Sequence, residues 1–166
     1  MTIKEFRQHF NEKMSSIYPT EEIDSLFVQL TEYAIKMNRA EVVLNGNSEL
    51  DQRALNDAIQ FLNRLEKKEP IQYIIGQTSF AGIPIHVNRH VLIPRPETES
   101  MVYWIKNQES GGLDVLDICT GSGCIAFALE DLIKANVTAW DISNDALKVA
   151  KKNCQINWFK CQLFTG

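Results

Sequence analysis

The stretch Leu113-Asp-Val-Leu-Asp-Ile-Cys-Thr-Gly-Ser-Gly-Cys-Ile-Ala126 decides how this chain is read. An apolar run rich in Val, Leu and Ile ends in an acid, passes glycines at 121 and 123, and opens into a helix-forming segment. That order predicts strand, tight turn and helix. Amides left unpaired where the helix begins face whatever lies over the turn, and glycines let a ligand come close to them. Downstream, 125–133 completes the helix, 137–140 reads as a second strand with Asp141 at its end, and Ser143 caps a helix over 146–152 with Asp145 in its first turn. Strand, helix, strand, helix implies a right-handed crossover and two parallel neighbours. Ligands of such sheets bind beyond the carboxyl ends of the strands, the edge that carries Asp117, the glycine turn and Asp141.

Upstream, residues 1–69 read as wholly helical. Ile3, Phe6 and Phe10 form one stripe; Thr20 is the expected N-cap of a second helix with Ile23, Leu26, Phe27, Leu30, Ala34 and Met37 on its inner face. A short helix is expected over 39–44, stopped by Asn45-Gly46-Asn47. Ser48 then caps a long helix with Leu50, Ala54, Ala58, Phe61 and Leu65 inward, ended by Pro70. Stripes of this kind are packing, and the segment reads as a small bundle suited to docking a partner. From Ile71 the period changes. Residues 72–80 and 83–87 are β-prone and joined at Ala81-Gly82, which predicts a hairpin. After Pro94-Arg95-Pro96, Glu97 and Glu99 open a helix whose apolar face is Met101, Val102, Trp104 and Ile105, until Gly111-Gly112 break it. The two acids read equally well as dipole partners of that helix.

With 166 residues, 45% of them apolar and 23% charged, the composition is that of a soluble globular protein. A net charge of −4 supplies no general drive toward nucleic acid or an acidic membrane. The first ten residues lack a signal peptide's apolar core and no run reaches the length of a membrane span, so a cytoplasmic protein is expected. Cys119, Cys124, Cys154 and Cys161 form no Cys-x-x-Cys pair and are expected as free thiols. His86 and His90 are four apart, but in a turn, so no metal site is assigned.

Two ligands suit the glycine turn. Gly121-Ser-Gly-Cys-Ile-Ala126 fits the G-x-G-x-x-G/A pattern of dinucleotide sites, with Asp141 where a ribose-binding acid belongs. Asp117, however, sits just before the turn, where a pyrophosphate would add negative charge. A ligand with an ammonium group and a sulfonium centre suits that acid better, which favours S-adenosylmethionine.

Further stretches narrow the choice. Glu69-Pro-Ile-Gln-Tyr-Ile-Ile-Gly76, Phe80, Val91-Leu-Ile-Pro-Arg-Pro-Glu-Thr-Glu99, Val115-Leu-Asp-Ile-Cys-Thr-Gly-Ser-Gly123 and Trp140-Asp-Ile-Ser143 occur in that order. Together they resemble the peptide chain release factor N5-glutamine methyltransferases of the HemK/PrmC type. The resemblance implies an α/β fold with an N-terminal helical bundle (1–69) recognising the substrate, a β-hairpin linker (70–95) and the first half of a Rossmann-like class I methyltransferase domain (96–166). It implies methyl transfer from S-adenosylmethionine to the side-chain amide of the glutamine in a Gly-Gly-Gln motif of translation release factors, without direct nucleic-acid or membrane partners. Asp117, Thr120, Gly121, Gly123 and Asp141 would bind the cofactor, Asp141 through its ribose. Arg95, Pro96, Glu97 and Thr98 would shape the pocket, and Phe80 and Arg95 are the substrate-binding candidates, Phe80 packing near the target glutamine.

Two departures bear on the resemblance. Cys119 stands where many methyltransferases have the first glycine of the loop, which is tolerable if its dihedrals are negative. The family's Asn-Pro-Pro-Tyr, which holds the poorly nucleophilic amide nitrogen in line with the methyl group, does not occur in these 166 residues, so no catalytic residue is assigned. A truncated product is therefore expected, inactive by itself, with 113–118 as a bare apolar edge and Trp158, Phe159, Leu163 and Phe164 covering part of the gap. The other readings are an NAD(P)-dependent Rossmann oxidoreductase and a non-catalytic release-factor-binding module.

Overall fold

The computed structural model describes residues 1–109 and 111–166. They form two compact units, Met1–Ile75 and Gly76–Gly166. The first is all helical. In α1 (Ile3–Met14) Thr2 and Glu5 cap one another reciprocally, each side chain accepting from the other's amide at 3.2 and 2.8 Å. Its stripe of Ile3, Phe6, Phe10 and Met14 is buried, and the Phe10 ring meets Phe27 edge-on at 5.3 Å. Helix α2 (Thr20–Leu30) begins one residue earlier than expected: Pro19, extended at φ −62° and ψ 153°, takes the cap position, and no side chain caps it. A π-helical turn (Thr31–Ile35) follows and stops at left-handed Lys36, so Met37 falls beyond the stripe and is only partly buried. Helix α3 (Arg39–Leu44) has the expected bounds and is capped by Asn38.

Asp51, not Ser48, caps α4 (Gln52–Glu66), accepting from the Ala54 amide at 2.8 Å. Ser48 is occupied in the preceding turn, its amide donating to Asn45 and its carbonyl accepting from Ile3. Ala58, Phe61, Leu62 and Leu65 close the core. The expected strand at 72–80 is half wrong: Ile71–Ile75 is a short helix, α5. Arg64 explains it. Its guanidinium donates to the carbonyls of Tyr73 and Ile74, each at 3.2 Å, while Glu69 anchors it at 2.6 and 2.7 Å. Carbonyls left over at the end of a helical turn are thereby satisfied, which outweighs the β propensity of the isoleucines.

The second unit opens with the hairpin β1 (Gln77–Phe80) and β2 (Ile83–His86), antiparallel through Ala81-Gly82, both with positive φ as a two-residue hairpin turn requires. In α6 (Pro96–Gln108) only Val102 is buried; Trp104 is 63% exposed and Met101 also faces outward. The expected apolar face there is reduced to one line of contact, against α7. The decisive stretch forms β3 (Asp114–Ile118) and α7 (Cys124–Ile133), followed by β4 (Asn136–Asp141), α8 (Asn144–Asn157) and β5 (Gln162–Thr165). The sheet order is β3-β4-β5 with both pairs parallel, a Rossmann-like arrangement. The final strand corrects the expectation for the tail. It pairs on the far side of β4 and covers nothing of β3, because Trp158 ends α8 in a left-handed turn and brings Gln162 opposite Thr138.

Parity along the strands sets the two faces of the sheet. Val137, Ala139 and Asp141 are buried where α7 and α8 pack on β4. Leu116 and Ile118 point the other way and are each 60% exposed, and Phe164, on the same face across β4, is 50% exposed. Among the described residues of this unit, helices therefore cover one face only. No helix among the described residues is long and apolar enough to cross a membrane.

Candidate cofactor site

Asp117, one residue before the end of β3, points to the helix-covered face, as Asp141 does from the end of β4. Between them the turn is built hydrogen bond by hydrogen bond. The Thr120 amide donates to the Trp140 carbonyl at 3.0 Å, and its hydroxyl donates to Asp117 Oδ2 at 2.7 Å. Asp141 is 7% exposed and accepts with both oxygens, from the Gly121 amide at 2.9 Å and the Ser143 amide at 2.8 Å. It thus ties the glycine turn to the start of α8. A carboxylate has about four lone-pair sites, so each oxygen keeps one for a ligand hydroxyl. Burial pushes the Asp117 carboxyl above the usual carboxylate range, against the hydrogen bonds from Thr120 and the Ala126 amide; the Asp141 charge adds to the rise.

Gly123 heads α7 at φ 82° with no side-chain cap, and a Cβ there would run into the Phe127 ring, itself stacked on Phe159 at 4.9 Å. Gly121, at φ 55°, has nothing within 4 Å of the position a Cβ would take, so its outer side is open to a ligand. Cys119 contradicts the condition set for it: its φ is +65°, the left-handed region that favours glycine. Cys119→Gly is therefore expected to raise the stability of this unit by about 1 kcal/mol in urea denaturation, by removing the strain of a side chain at positive φ.

Phe80 and Arg95 make no hydrogen bond to the glycine turn among the described residues. Phe80 is 1% exposed in the hairpin, and Arg95 is exposed at the cap position of α6, where its side chain makes no hydrogen bond or ion pair among the described residues. Glu99 is more than a dipole partner of α6: Oε1 accepts from the Ala81 amide at 2.7 Å and holds the hairpin turn, next to Phe80. Asn153 is the residue that sequence reasoning missed. It is fully buried; Nδ2 donates to the carbonyls of Ser122 and His86, both at 2.9 Å, and Oδ1 accepts from the His86 amide at 2.6 Å. The signal was present, since Asn153 follows Ala146, Val149 and Ala150 at helical spacing as the polar member of a buried face. A hollow of about 1020 Å³ lies at the amino ends of the strands, lined by Asp114, Asn136 and Gln162 among others, and contains none of the predicted site residues.

Residues 5–76 match the PrmC N-terminal domain, and residues 95–165 match the ribosomal protein L11 methyltransferase (PrmA) family. The release factor glutamine methyltransferase of Flavobacterium psychrophilum is 42% identical over 163 residues, which cover 95% of this chain and 57% of that protein. Over the part it spans, the chain is similar to release factor glutamine methyltransferases, with a PrmC-like N-terminal domain followed by a PrmA-like methyltransferase domain. Relatives from Bacteroides thetaiotaomicron (37% identity, 87% of this chain and 52% of the relative) and Coxiella burnetii (32%, 100% and 61%) carry the same name. The chain spans about half the length of these relatives. Among solved structures, TYW2 of Pyrococcus horikoshii in complex with MeSAdo aligns with 96% of this chain and 63% of its own at a TM-score of 0.48 and 13% identity. The Pyrococcus abyssi tRNA (uracil-54, C5)-methyltransferase in complex with S-adenosyl-L-homocysteine aligns with 54% and 23% at 0.46 and 16%.

Proposed function

We propose that the glycine turn seats S-adenosylmethionine for N5-methylation of a release-factor glutamine. The observation that carries this reading is a pair of acids on the helix-covered face, Asp117 and Asp141, flanking a turn whose outer side is open at Gly121. The ammonium group of the ligand belongs at Asp117, its ribose hydroxyls at the free lone pairs of Asp141, and its carboxylate at the amino end of α7. When bound, the cofactor supplies an electrophilic methyl group. These residues supply its orientation, and none is assigned to take or give a proton. The helical unit, which matches the PrmC N-terminal domain, is the part proposed to engage the release factor.

Calorimetric titration with S-adenosylmethionine tests the reading: saturable binding with no binding of NADH supports it, and the reverse preference would select the dinucleotide alternative. Asp117→Asn separates the acid's two effects. An acid whose folded pKa is raised holds its proton longer in the folded state than in the unfolded one, so stability falls as pH rises from the unfolded value through the folded one. Removing the carboxylate lifts that penalty. The variant should melt at or above the parent temperature at neutral pH, yet bind S-adenosylmethionine about 10- to 100-fold more weakly for want of a charged partner to the ammonium. Unchanged affinity would remove Asp117 from the site.

A further inference from the structure

A second hollow, of about 310 Å³, lies between the end of β2 and the middle of α8, with His86, Asn88, His90, Asp145, Lys148 and Lys152 as its polar lining. The Lys152 Nζ stands 3.2 Å from His86 Nε2. An ammonium group can only donate, so this imidazole nitrogen accepts, while the ring also hydrogen-bonds the Gly76 carbonyl. His86 is thereby held as a neutral tautomer, its pKa pushed below the ordinary value by burial first and by the Lys152 charge second. Lys148 is paired with Asp145 at 2.8 Å, and His90 approaches the same carboxylate at 3.8 Å. Arg89, in the same loop, also acts on Asp145 through its charge. No carboxylate among the described residues forms an ion pair with Lys152 or Arg89. Before any imidazole is counted, Lys148, Lys152 and Arg89 outweigh Asp145 by two positive charges, in a chain whose net charge is −4.

Basic side chains on a helix usually spread into water. Here one ammonium group is turned onto an imidazole at the wall of a concavity, and the local excess of charge has no protein partner. A tetrahedral oxyanion meets both conditions. It gives acceptors to Lys148 and to all three Lys152 N–H bonds, and it favours a proton on His86 Nε2, which then stops accepting from Lys152 and donates to the oxyanion instead. We propose that this hollow binds a phosphate group, held by Lys152, Lys148 and His86. The site shares no residue with the glycine turn. Asn153, adjacent to Lys152, hydrogen-bonds both His86 and Ser122, so the two places rest on the same buried amide.

The test is a titration of the full 166-residue chain with inorganic phosphate at constant ionic strength, followed by calorimetry and by the His86 ring resonances. Binding should saturate and move the His86 resonances toward their protonated position. The groups that set this response are Lys148, Lys152 and Asp145 on α8 and His86, Arg89 and His90 on the facing chain. Lys152→Gln should weaken binding at least about tenfold by removing a charge-assisted contact, with Lys152→Arg restoring most of it. A control at exposed Lys4 (Lys4→Gln) should leave the affinity unchanged. A short single-stranded RNA in place of phosphate distinguishes the sources: tighter binding identifies a phosphodiester backbone, weaker binding a free phosphate. Titration without saturation, or equal affinity in the parent and Lys152→Gln, would overturn the proposal.

Discussion

Asp141→Ala is expected to abolish measurable binding of S-adenosylmethionine and to lower the stability of the second unit by about 2–4 kcal/mol, the range for losing two charge-assisted hydrogen bonds at a buried place. The carboxylate is 7% exposed and accepts from the Gly121 and Ser143 amides, one on each of its oxygens. Alanine leaves both donors without their acceptor and frees the glycine turn from the start of α8. Calorimetry would read the binding, and urea denaturation the stability. Asp141→Asn separates the two consequences, because its amide oxygen keeps one of the accepted bonds but its NH2 group cannot accept the other. It should retain more of the stability than alanine does, with binding still weakened at least about tenfold by the missing acceptor. Undiminished binding by the alanine variant would end the assignment of Asp141 to the cofactor.

The second large effect belongs to Asn153→Ala, for which a loss of about 3–4 kcal/mol is expected, counting three hydrogen bonds and buried groups left unsatisfied. The side chain is fully buried and joins α8 to the His86 backbone and to the Ser122 carbonyl. Denaturation followed by tryptophan fluorescence measures the loss, with Trp140 in β4 as the reporter inside the sheet. Asn153→Asp keeps the acceptor for the His86 amide and loses both donations, so it should be destabilised as well. A parent-like midpoint for Asn153→Ala would show that water replaces these contacts at little cost.

Much of the architecture was legible because local chemistry and tertiary packing agree. The glycines at 121 and 123, the acid at 117 and the Ser143 cap mark a strand, a turn and two helix starts whatever surrounds them, and α3 ends where Asn45-Gly46 stops it. Where sequence reasoning failed, a partner distant in the chain decided. Residues 71–75 have β-prone side chains, yet Arg64 collects their carbonyls and a helix results. Cys119 carries no local signal for a positive φ; the connection between β3 and the turn imposes it. Asn153 lies at the right helical spacing, but its partners are 31 and 67 residues away, and no local pattern names them. In the proposed site, the acids and glycines could be named from sequence because the turn is contiguous. The bracing of that turn by Asp141, through a hydrogen bond across 20 residues, could not.

Among the described residues of the second unit, helices lie on only one side of the three strands, and this has an electrical consequence. The sheet works as a thin insulating wall with water against one surface and packed hydrocarbon against the other. Two unit charges 4 Å apart interact at about 1 kcal/mol in water and about 4 kcal/mol at an effective dielectric of 20, so which surface a carboxylate faces sets the strength of its grip on a cation. Asp117 and Asp141 project toward the packed side, while their neighbours Ile118 and Trp140 project toward the other. Slipping either strand by one residue would exchange those positions and place the acid in the screening medium. The pleat of the strand, more than the distance to the ligand, is what gives these two charges their leverage.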